Sequence, residues 1–110
     1  MAENMIRREE YVQKLLDAYR RTPGTTGCVR RSDRLLAVTL PQRGVSLTTI
    51  DNALVLAAAR RLLRPATTPP LATVRSLAYF LPVTEEVLDL QVSPDYFQHI
   101  RRRLQRFLSA

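Results

Sequence analysis

Few side chains in this sequence can do covalent or acid–base chemistry. Cys28 is the only cysteine and His99 the only histidine. Cys28 stands in a stretch rich in glycine and threonine, and His99 stands beside a run of arginines. Nucleophilic catalysis needs a nucleophile held against a base and a third group that orients the base, and a Cys28–His99 pair is a combination the sequence leaves open. No cluster has zinc-ligand spacing, and one thiol with one imidazole does not complete a four-ligand site in a monomer. Glu85 and Glu86 are adjacent, so on a helix their side chains diverge rather than face one substrate bond. The expectation is a non-enzymatic protein without metal or cofactor.

The abundant chemistry is cationic. Of 110 residues, 17 are Lys or Arg against 10 Asp or Glu, for a formal charge of +7 and a pI near 10.7. Lys14 is the only lysine, and every other basic residue is arginine. Guanidinium groups contact phosphate and guanine in planar, bidentate fashion and stack on bases, which an ammonium group does not. Codon bias in a GC-rich genome yields the same composition, so composition alone leaves both origins open. Position adds information. Pairs recur at Arg7-Arg8, Arg20-Arg21, Arg30-Arg31 and Arg60-Arg61, followed by Arg64 and then the triplet Arg101-Arg102-Arg103 with Arg106. Several fall at expected helix ends, where one phosphate-gripping surface can assemble from different elements. Tyr79, Tyr96 and Phe97 are candidate stacking residues, with Phe97 also expected in the core.

Positioning these groups requires elements, and the apolar spacing is helical throughout. A first helix is expected over residues 5–21, with Val12, Leu15, Leu16 and Tyr19 on one face and Ile6 and Tyr11 extending or flanking it. Thr22-Pro23-Gly24 ends it and opens a long connector rimmed by arginine pairs. A second helix is expected from an N-cap at Ser32, with Leu35, Leu36, Thr39 and Leu40 as its apolar face, a kink or end at Pro41, and Gly44 as C-terminal cap. Ser46 caps a third helix, with Val45 and Ile50 as a hydrophobic staple. That helix runs to about Arg64 before Pro65 and is apolar around most of its circumference, the mark of a buried central helix. Residues 65–70 form a stiff proline-rich connector. A fourth helical region is expected over residues 71–90, bent or divided at Pro82, with Leu77, Phe80 or Leu81, Val87 and Leu88 inward. Ser93-Pro94-Asp95 reads as the start of a last helix. It buries Phe97, Ile100, Leu104 and Phe107 or Leu108, and presents Arg101, Arg102, Arg103 and Arg106 outward beside His99.

Residues 35–57 have the outline of a helix-turn-helix, with Gly44, Val45, Ile50 and Ala53 at its usual positions. Leu40, Pro41 and Arg43 depart from the pattern, and no arginine precedes Arg60 on the second helix to read bases. The expected reading is therefore a structural hairpin within a bundle. The segment from Arg75 to Leu88, with Tyr79, Val83 and Val87 spaced four apart, resembles the Tyr-x3-Ile-x3-Trp tail motif of DnaD-like replication-initiation modules. Val87 stands in place of the tryptophan, Pro82 interrupts the motif, and the likeness covers about 14 of 110 residues. The resemblance implies a helical adaptor that binds DNA and serves helicase loading in bacterial, phage or plasmid replication.

The chain is thus expected to form one all-α domain over residues 1–110, a compact bundle of four to five helices with an HTH-like helical hairpin. Hydrophobic residues at 45% and charged residues at 25% are globular proportions. The longest unbroken apolar run, residues 53–59, falls far below the roughly 20 residues that span a bilayer. With no signal peptide apparent and a single cysteine, a cytoplasmic protein is expected. The expected function is nucleic-acid binding (DNA or RNA) through Arg30, Arg31, Arg60, Arg61, Arg64, Arg101, Arg102, Arg103 and Arg106, as an accessory part of a larger nucleoprotein machinery. The alternative is a helical subunit that docks on a larger nucleic-acid enzyme or self-assembles through the apolar third helix.

Overall fold

The computed structural model describes residues 2–65, 67–69, 71–89 and 94–109, with side chains from Arg7 onward. Among these residues five α-helices follow in order: α1 (Ala2–Arg21), α2 (Arg31–Gln42), α3 (Leu47–Leu62), α4 (Leu81–Asp89) and α5 (Pro94–Ser109). A 3₁₀ turn, Leu77–Phe80, leads into α4. The chain is an all-α bundle, with no β-strand among the described residues. The expected contribution of Ile6 and the Ser93 cap lie outside what is described.

α3 is the centre. Its start is set locally: the Ser46 hydroxyl accepts from Thr49 N at 3.1 Å, and Val45 and Ile50 are both buried on either side of the cap. Ile50, Leu54 and Ala57 face one core cluster with Leu15, Tyr19 and Leu40. Ala53 and Leu56 face a second cluster with Val87 and Phe97. α1 therefore packs on one side of α3, and α4 and α5 on the other. The alanines let these neighbours approach closely, and the apolar circumference expected to seek an external partner is consumed inside the bundle.

α2 departs from expectation at both ends. Its N-cap is Arg30, and Ser32 lies within the helix. The cause is Asp33, which is almost completely buried. One carboxylate oxygen accepts from Arg30 N at 2.8 Å, and the other accepts from Leu77 N at 2.9 Å, across 44 residues of sequence. This anchor turns Asp33, Ala37 and Leu40 inward. Leu35 and Thr39, expected in the core, are exposed, and Leu36 is half-buried. At the other end Pro41 stays inside the helix. Gly44, at φ +77°, closes a Schellman motif in which Gly44 N donates to Pro41 O and Val45 N to Leu40 O. A short turn joins α2 to α3, while α2 finds its packing partners in α1 and the 3₁₀ turn.

The stretch from Leu71 to Ser76, expected to be helical, is not. Val74 is buried, its N–H donates to Gly24 O at 2.8 Å, and its carbonyl accepts from Thr26 N at 3.0 Å. With both backbone groups committed to the first connector, Val74 cannot join a helix. Gly24, at φ +91°, allows this approach; a Cβ there would stand 3.2 Å from Arg61 Nε. The helix proper begins at Leu81, so Pro82 falls in its first turn, where its missing N–H costs nothing. In the fourth region Leu77, Phe80 and Val87 are buried as expected, but Leu88 is exposed.

Because the Asp33 carboxylate satisfies two backbone donors in the interior, Asp33→Asn is expected to destabilise the fold by about 2 kcal/mol. Urea unfolding measures this, and an unchanged midpoint would refute the anchoring role.

Candidate nucleic-acid interface

The nine arginines expected to contact nucleic acid are spread over the start of α2, the end of α3 and α5. Two are held internally. Arg60, near the end of α3, makes a two-pronged contact with the Glu86 carboxylate of α4. Hydrogen bonding to Arg60 lowers the Glu86 pKa from its ordinary value, and the Arg60 pKa is raised mainly by the same bond. Arg61 donates to Ala72 O at 2.6 Å and to the Tyr79 hydroxyl at 3.1 Å, with its guanidinium 5.4 Å from the centre of the Tyr79 ring. Arg61 thereby straps the second connector to the end of α3. Arg43, in the turn after α2, pairs with Glu85. The adjacent Glu85 and Glu86 thus reach in different directions, as their spacing requires, and each ties α4 to another element.

The remaining arginines divide by element. Arg30 and Arg31 are exposed at the N-terminus of α2, and Arg64 is half-buried after α3. Arg101 is half-buried and turned towards α3, where it donates to Asn52 Oδ1 at 3.4 Å. Arg102, Arg103 and Arg106 are exposed on α5, and among the described residues none pairs with a carboxylate. α5 packs against α3, whereas α2 packs against α1 and the 3₁₀ turn. α5 thus carries three exposed guanidinium groups without a carboxylate partner among the described residues, Arg106 donating only to the Arg102 carbonyl of its own helix at 3.4 Å.

Their placement follows from helical spacing. Phe97, Ile100 and Leu104 are buried and commit one face of α5 to the core, which turns residues 102, 103 and 106 to solvent. His99, Arg103, Arg106 and Phe107, with Leu63 from the end of α3, line a shallow hollow of about 540 Å³. Phe107 and Leu108, one of which was expected in the core, are both exposed, Phe107 at 48%. The stripe overreaches because α3 stops at Leu62 and its cap, Leu63, forms part of the hollow. Of the other aromatic candidates, Phe97 is buried, Tyr79 lies beneath Arg61, and Tyr96 is half-exposed edge-on to Phe97. Phe107 is the exposed aromatic that sequence reasoning assigned to packing. Its position at the very end of the stripe, beside Arg106, was the available signal.

Cys28 is exposed in the first connector, and His99 lies on α5 in the hollow. Among the described residues there is no group of three or more metal-binding side chains, and no helix is long and apolar enough to cross a membrane. The DnaD-like segment is divided: Tyr79 lies in the 3₁₀ turn, half-buried Val83 and buried Val87 on α4. Comparison with protein-family models, curated proteins and solved structures finds no match to this chain.

The Arg60–Glu86 pair gives an acid-dependent contribution to stability. The folded Glu86 pKa lies below the ordinary 4.5, so the contribution is present above that value and is lost as pH falls through the folded pKa. Glu86→Gln is therefore expected to be less stable than the native chain at neutral pH and to converge with it in acid. A stability gap that stays constant down to low pH would remove the ion pair as its cause.

Proposed function

We propose that this protein is a small non-enzymatic nucleic-acid-binding accessory protein whose contact surface is the outer face of α5. The observation that carries the reading is the array of Arg102, Arg103 and Arg106, exposed on one helix and without a carboxylate partner among the described residues. Arg60 and Arg61 are withdrawn from the set by their internal partners, and Arg101 by its turn towards Asn52. Arg30, Arg31 and Arg64 serve as peripheral phosphate contacts. Guanidinium groups on a helix face neutralise phosphates and release their counterions, which makes binding strong at low salt and weak at high salt. The resemblance of residues 75–88 to DnaD-like modules favours DNA replication as the setting, and a cytoplasmic location goes with that setting.

A second reading rests on α2. Leu35 is 60% exposed and Val38 is exposed one turn later, where it lines a groove with Val12 and Gln13 of α1 and Pro41 of α2, rimmed by Arg8 and Glu9. This apolar strip supports a docking subunit, placed on α1 and α2 rather than on α3. A mass that rises with concentration in light scattering, and is returned to monomer by Val38→Asp, would favour it through self-assembly.

The first reading is tested by replacing Arg102, Arg103 and Arg106 together with glutamine. Anisotropy titrations across a salt series should show weaker binding and a salt slope reduced by about 2 to 3 in log–log terms. Unaltered affinity and slope would refute the α5 assignment.

A further inference from the structure

The hollow at the end of α5 has features that phosphate contact alone does not use. Phe107 lines it with nearly half its surface exposed, and half-buried Leu63 is the second apolar side chain there. Arg103 and Arg106 lie on its lining, His99 lies one turn before Arg103, and among the described residues no carboxylate belongs to it. In one shallow, open hollow the structure offers a flat apolar ring and two guanidinium groups.

We infer that this hollow binds a single-stranded nucleic acid, with one unpaired base stacked on Phe107 and contacting Leu63, and with flanking phosphates held by Arg103 and Arg106. The inference rests on the nucleic-acid reading of α5 and adds the class of strand. Inside a duplex each base face is covered by its neighbours, and only base edges are open in the grooves. An exposed ring gains from stacking only on a base that has left the stack or was never in one. Stacking is insensitive to base identity because every base has a π-face, so the site is expected to prefer strandedness over sequence.

The chain contains no tryptophan, which permits a direct test. Phe107→Trp places the sole indole in the hollow, at an exposed position where the fold is not at stake. Its fluorescence should be quenched by oligothymidylate of about 15 nucleotides and left nearly unchanged by a hairpin duplex of similar length. In parallel, Phe107→Ala should weaken single-strand binding roughly tenfold while leaving duplex binding and the salt slope as they were. Circular dichroism confirms that both variants keep their helices. Salt-dependent binding with no quenching, or equal loss for single strand and duplex in Phe107→Ala, would overturn the stacking site while leaving α5 a nucleic-acid surface. Quenching by the duplex equal to that by the single strand would replace it with an intercalating wedge. Absence of binding to either form at low salt would overturn the reading of α5 together with it.

Discussion

Everything outside the central packing of α3 depends on one buried carboxylate. Desolvating an aspartate costs several kcal/mol unless its oxygens are satisfied. Asp33 meets that requirement with two backbone N–H groups from segments far apart in sequence, Arg30 and Leu77. Three consequences follow from one side chain. The first turn of α2 is closed, the face that α2 buries is chosen, and the 3₁₀ turn before α4 is placed. Val74, three residues earlier, is then in position to pair with Gly24 and Thr26, so the two connectors brace each other. Above them Tyr19 packs edge-on against Phe80 at 6.0 Å between ring centres. Burial, and secondarily the nearby Asp33 charge, raises the Tyr19 pKa from its ordinary value.

The strongly basic composition conceals a division of labour. Arg43 and Arg60 hold α4 through Glu85 and Glu86, and Arg61 holds the second connector through Ala72 and Tyr79. In a chain this short, elements such as the nine-residue α4 bury little apolar surface, and side chain to side chain contacts help to locate them. Arginine suits this role because its planar fork satisfies a carboxylate or a carbonyl and also stacks on a ring. Of the other arginines Arg20 pairs with Asp17, while Arg102, Arg103 and Arg106 on the outer face of α5 have no carboxylate partner among the described residues. High charge in a sequence is thus a poor map of charge available at a surface.

Legibility followed the range of the interactions involved. α3 was readable because its cap, staple and apolar girth lie within its own residues, from Val45 to Leu62. The Gly44 cap of α2 was readable for the same reason. α5 was readable in its middle, where Phe97, Ile100 and Leu104 repeat at helical spacing, and misread at its end. The periodicity continues to Phe107, but the covering helix stops at Leu62. Ser32 offered a good local cap and was displaced by Asp33, whose second partner is Leu77. The segment 71–76 looked compatible with a helix and is extended because Val74 bonds to Gly24 and Thr26. Of the candidate site, Arg102, Arg103 and Arg106 could be seen from sequence, while the internal partners of Arg60, Arg61 and Arg101 and the exposure of Phe107 could not.

By itself the sequence determined that this chain is helical, that α3 is its centre and that its charge is strongly cationic. Those properties reside in local propensity, periodicity and composition, which act over a few residues or over none. Only the tertiary structure decided which face α2 buries, where the fourth helix begins, and which arginines keep their charge facing solvent. Each of those outcomes turns on a partner many residues distant, as Leu77 is from Asp33 and Glu86 from Arg60. A hydrogen bond or ion pair of that kind leaves no periodic trace in the sequence, because its geometry exists only once the chain has closed.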